Sequence, residues 1–118
     1  MKLANGKEHR LLYNNYALSQ IGKAFGGINN IDAALAEDNG QLIDNVITII
    51  RIGINAGIEV DNLLNLTEEP VYTQKEIALL LPGMSTCLSE FRESFSKSFE
   101  QEFENENTEE KKTEPPSP

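Results

Sequence analysis

Apolar residues recur along most of the chain at intervals of three and four, the pattern of helices that bury one face. Between about Tyr16 and Phe25 the repeating positions are Ala17, Ile21, Ala24 and Phe25. Asn14 or Asn15 is placed to cap the first exposed N–H groups. Gly26-Gly27 supplies the left-handed conformation that ends such a helix. Asn30 is the next cap, opening a short helix through Ile31, Ala34 and Leu35 that stops near Asn39-Gly40. A third helix is predicted from about Gln41 to Ala56. Its polar residues Asp44, Thr48, Arg51 and Asn55 fall on one narrow stripe, and apolar residues cover the rest. A helix apolar nearly all round is a buried one. Val46–Ile50 also reads as a strand, but the length of the segment and its polar stripe favour helix. After Gly57 come a short segment around Val60–Leu66 and a linker through Pro70. Thr73-Gln74-Lys75-Glu76 then reads as a capping box opening a helix through Ile77 and Leu81. Pro82-Gly83 precedes a last helix from about Ser85 to Phe103.

The ends differ from this middle. Met1–Ala4 and Glu8–Tyr13 flank Asn5-Gly6, a pair suited to a tight turn, so a short N-terminal strand or β-hairpin is predicted. Residues 100–118 hold seven acids and two bases, and from Asn105 to Pro118 the only apolar side chains are prolines. Such a segment buries too little to offset its ordering entropy, which predicts a disordered acidic tail over 105–118. The expected fold is therefore mainly α: one helical domain over 1–104, then the tail.

The last helix carries the strongest signal. Phe91, Phe95, Phe99 and Phe103 recur every four residues, continuing Met84 and Leu88, with Glu90, Glu93, Lys97, Glu100 and Glu104 opposite. Four phenylalanines present on the order of 600–1,000 Å², more than the ~300–600 Å² patch a monomer ordinarily shows. The stripe must be covered, by its own domain or by a partner. Leu88, Phe91, Phe95, Phe99 and Phe103 are the candidate partner-binding residues, and the Phe99–Phe103 half is placed for a helix-in-groove contact.

Composition narrows the chemistry. With 118 residues and a formal net charge of −9, the chain lacks the basic face that nucleic acids or anionic membranes require. One Cys and one His, Cys87 and His9, leave no disulfide framework and no Cys/His zinc site. A free Cys is usually a buried thiol, and His9 beside Arg10 reads as a solvated ring. Glu37-Asp38, Asp44, Glu59, Asp61 and Glu68-Glu69 are explained by solvated faces and helix ends. Gly26-Gly27 lacks the Lys and Ser/Thr of a phosphate loop. Gly53-x-x-x-Gly57 is read as a site where a neighbouring helix or loop packs closely. Catalytic, metal and cofactor residues are therefore expected to be none. The longest apolar stretch, Val46 to Ile58, is interrupted by Thr48, Arg51 and Asn55. It falls short of the ~20 residues of a membrane span. No signal peptide is visible, so a cytosolic protein is expected.

The order of elements resembles the tail assembly chaperones of long-tailed, siphovirus-type bacteriophages. The likeness covers about residues 8–81 and rests on Leu11-Leu12-Tyr13-Asn14, Tyr16-Ala17-Leu18-Ser19-Gln20-Ile21, Phe25-Gly26, Ile31-Asp32-Ala33-Ala34-Leu35, Leu42-Ile43-Asp44-Asn45-Val46-Ile47 and Ile54-Asn55-Ala56-Gly57. It implies a non-enzymatic protein of the host cytoplasm, absent from the finished virion. Such proteins bind the long tape measure protein, keep it soluble and help recruit tail tube protein. Many are made in two lengths by a ribosomal frameshift. The phenylalanine-rich acidic end departs from the family pattern, leaving both residues 8–81 and the last helix as candidate client surfaces. A homo-oligomer is compatible with half-buried apolar helices. The alternative reading is a small acidic helical adaptor or regulator that binds a host protein through its Phe-rich helix.

Overall fold

The computed structural model describes residues 1–113 along the backbone, with side chains through Ser98. The helices are α1 (Asn15–Phe25), α2 (Ile31–Ala34), α3 (Leu42–Asn65), α4 (Gln74–Leu80) and α5 (Met84–Thr113), and a 3-10 turn over Ile28–Asn30 precedes α2. α1 starts where Asn14 Oδ1 accepts a hydrogen bond from the Ala17 N–H at 2.9 Å, and it ends at Gly26 in the left-handed region, φ 75°. Asn30 does not cap α2 as expected. Its side-chain amide instead donates to the Phe25 carbonyl at 2.7 Å. Asn39 and Asn45 similarly donate to the carbonyls of Ala33 and Ala34. Three asparagine amides thus satisfy carbonyls that the helix ends leave open.

The expected N-terminal strand or hairpin is reduced to one antiparallel bridge between Lys2 and Glu8, with no strand among the described residues. The turn at Asn5-Gly6 is present, with Gly6 at φ 84°. Pairing stops there because the chain leaves to pack elsewhere: the Ala4 N–H bonds the Leu80 carbonyl and the Leu12 N–H bonds the Gly53 carbonyl.

α3 is the centre of the fold, and it is longer than expected. Val46, Ile49, Ile50, Ile52 and Ile54 are buried in one cluster with Tyr13, Ala17, Ile21, Ile77, Cys87 and Phe91. The helix does not stop at Gly57; the predicted segment Val60–Leu66 is its last two turns. Glycine in a helix interior costs about 1 kcal/mol against alanine, and here close packing offsets that cost. A Cβ at Gly57 would lie 3.4 Å from the Arg10 side chain, and one at Gly53 would lie 2.7 Å from the Tyr13 hydroxyl. The Gly53/Gly57 pair admits the extended N-terminal segment, which Tyr13 anchors by donating to the Ile49 carbonyl at 3.1 Å.

The capping box of α4 is present in both halves: Thr73 accepts from the Glu76 N–H, and Glu76 accepts from the Thr73 N–H. Leu81 turns extended, ψ 146°, because the following Pro82 disfavours the helical region at the residue before it. α5 is helical to Thr113, beyond Asn105, where the disordered tail is expected to begin. Its Glu, Gln and Lys residues are good helix formers, and extending an existing helix needs no new nucleus. Residues 114–118 of that tail lie outside the described residues.

Candidate functional site

The phenylalanine stripe begins inside the domain. Phe91 is only 3% exposed. Its ring meets Tyr13 edge-on at 5.3 Å, and Phe95 meets the same tyrosine at 5.6 Å. Leu88 and Phe95 are half-buried against the core. Phe91 and Phe95 also line an open groove of about 520 Å³ with Ile28, Ile31, Leu35 and Arg92. Of the candidate partner-binding residues, Leu88, Phe91 and Phe95 are thus committed, wholly or partly, to their own domain. The side chains of Phe99 and Phe103 lie outside the described residues.

The polar stripe of α3 is not simply solvated. It is a rail on which residues 67–74 return along the helix. Gln74 accepts from Arg51 Nε at 2.8 Å and donates to Thr48 Oγ1 at 2.9 Å. The Asn55 side chain donates to the Tyr72 carbonyl and accepts from the Tyr72 N–H, at 2.8 and 2.9 Å. Asn62 pairs in the same way with both backbone groups of Glu69, at 2.9 and 3.0 Å. The spacing is commensurate: seven helical residues rise ~10.5 Å, and three extended residues span ~10 Å. Two amides two turns apart therefore clip a strap at every third residue. Neither Asn62 nor Tyr72 belongs to a local motif, since their partners lie 7 and 17 positions away.

The strap, the N-terminal turn and the end of α3 border a cleft of about 730 Å³ containing Lys7, His9, Asp61, Asn62, Glu69 and Tyr72. His9 Nε2 and the Tyr72 hydroxyl share a hydrogen bond at 2.9 Å, and the rings meet edge-on at 5.2 Å. Burial, then the Lys7 ammonium and the N-terminal ammonium, hold the His9 ring below its ordinary range, which favours the neutral form. Cys87 is buried, and burial with the Glu90 carboxylate pushes its thiol up, away from the nucleophilic thiolate. It faces the Pro82 carbonyl at 3.5 Å, whereas His9 faces Tyr72. Among the described residues no group of three or more His, Cys, Asp or Glu is arranged to hold a metal. No helix among them is long and apolar enough to cross a membrane.

The most unusual surface is the end of α3. Leu63 is 75% exposed, Leu64 73% and Leu66 92%. Leu66 caps the helix in the left-handed region at φ 52°, the one non-glycine residue with positive φ among the described residues. That conformation strains an L side chain and ordinarily goes to Gly or Asn. The exposed Glu59, Asp61, Glu68 and Glu69 surround these leucines in sequence, and the last turn of α3 carries no base. Asp61 pairs with Arg10 at 2.9 Å. This patch has no signal of its own in the sequence, because Val60, Leu63 and Leu64 continue the apolar spacing of the buried turns before them. Compared with known protein families, with curated proteins and with solved structures, the chain has no match.

Proposed function

We propose that the chain is a non-enzymatic tail assembly chaperone of a long-tailed bacteriophage. It binds the tape measure protein, holds it soluble in the host cytoplasm and assists addition of tail tube protein, without remaining in the virion. The carrying observation is the uncovered leucine end of α3: Leu63, Leu64 and Leu66 cluster within four positions, whereas the other exposed large apolar residues among the described ones, such as Ile43 and Leu79, are scattered singly. A cluster of apolar side chains left in water marks a place where another molecule sits. The resemblance supplies the kind of molecule: its matching segments include Tyr13, Ile21 and Ile54, which build the core that supports α3. The net charge of −9 suits a holding role, since copies carrying a client repel one another.

The test is a sedimentation assay with tape measure fragments that precipitate alone. The chain, added in slight excess, is expected to keep at least one fragment in the supernatant. Unchanged precipitation across several fragments covering the tape measure would remove this reading and leave the host-protein adaptor.

A further inference from the structure

Resting on that holding role, we propose that the C-terminal end of α3 is a docking knob for one class of partner: an amphipathic helix that carries Lys or Arg beside its apolar stripe. Gly53, Gly57, Val60 and Leu64 fall on one face of α3, at spacings of four, three and four. Tyr13 and Arg10 cover the two glycines, and Leu64, on the same face, is bare. Leu63, the next residue round the helix, and Leu66, at the cap, are exposed beside it, apolar relief of the kind that packs against another helix. Leu66 closes the helix with its backbone N–H on the Asn62 carbonyl, but its side chain stands almost wholly in water and packs on little inside the domain.

Charge identifies the occupant. Glu59, Glu68 and Glu69 are exposed and have no ion-pair partner among the described residues. The open carbonyls of a helix C-terminus add partial negative charge at the same place. A cation-flanked helix gains from both, whereas a second copy of this knob brings the same acids face to face. Three leucines also fall short of the ~800 Å² per partner that a stable dimer buries.

The experiment uses the full chain and two synthetic amphipathic peptides, one of Leu and Lys at helical spacing and its Leu/Glu counterpart. Binding is read by fluorescence anisotropy. The Leu/Lys peptide is expected to bind and the Leu/Glu peptide not to. Leu63→Ser/Leu64→Ser should weaken binding by about tenfold or more, as loss of two apolar contacts implies. Glu59→Lys/Glu68→Lys should weaken it several-fold, and added salt should weaken the wild-type complex. Circular dichroism verifies that both variants fold. Equal binding of the Leu/Lys peptide to wild type and the leucine variant would overturn the proposal. So would concentration-dependent dimerisation of wild type that the leucine variant abolishes. The holding role is judged separately. A tape measure fragment kept soluble equally well by the leucine variant leaves that role standing and removes the knob. A fragment not held at all, with the peptide result intact, does the reverse.

Discussion

The two ends of α3 are made of the same kinds of residue and do opposite things. From Val46 to Gly57 its isoleucines are enclosed by α1, α4, α5 and the N-terminal segment. From Leu63 to Leu66 equally apolar side chains stand in water. The difference lies in what crosses the helix. Gly53 and Gly57 let Tyr13 and Arg10 approach closely, and Asn55 and Asn62 clip the returning strap along a different face. Leu63, Leu64 and Leu66 lie off both of these tracks and are left largely uncovered. An apolar residue therefore contributes stability at one end of this helix and is available for contact at the other.

Substitutions along α3 should separate these roles. The largest loss is expected at Ile54, which is fully buried. Ile54→Ala should cost about 2–5 kcal/mol, measured by urea unfolding. Gly53→Ala puts a methyl group 2.7 Å from the Tyr13 hydroxyl. Because Tyr13 is itself buried, it has little room to yield, and about 1–3 kcal/mol should be lost. Asn55→Ala strands the Tyr72 N–H and carbonyl that the amide now satisfies, for a loss of about 1–3 kcal/mol. Leu63→Ser/Leu64→Ser should stay within about 0.5 kcal/mol of wild type, as surface changes usually do. A loss there as large as at Ile54 would erase the distinction between the two ends.

A smaller effect tests the His9–Tyr72 contact beside the strap. The folded state depresses the His9 pKa below the ordinary 6.5. Above that value both folded and unfolded chains hold the ring neutral, and stability is full. As pH falls below it the unfolded chain takes up the proton first, so stability declines until the folded-state pKa is passed. Melting temperature should therefore drop modestly between about pH 7.5 and about pH 5.5, roughly one unit either side of the ordinary histidine value, and less so in His9→Gln.

What the sequence revealed follows the range of the interaction. Thr73 and Glu76 form their capping box within four residues, and Asn14 and Gly26 act on their immediate neighbours, so each was legible locally. Gly57 misled because a glycine inside a helix and one ending it look alike until the packing side chain, Arg10, is known. The N-terminal ribbon shrank to one rung because Leu12 bonds α3 instead of a partner strand. Within the stripe of phenylalanines, spacing marks the shared face, but residues far off in sequence, Tyr13 and the α3 core among them, decide that Phe91 and Phe95 turn inward. The exposed leucines were hidden for the same reason in reverse: periodicity marks an apolar face and is silent on whether anything covers it.

The uncovered end of α3 is best tested by the client assay run with the Leu63→Ser/Leu64→Ser variant beside wild type, both at the same melting temperature. The variant should leave in the pellet a tape measure fragment that wild type keeps in solution. Equal amounts of fragment in the two supernatants would contradict the assignment of this helix end to a partner.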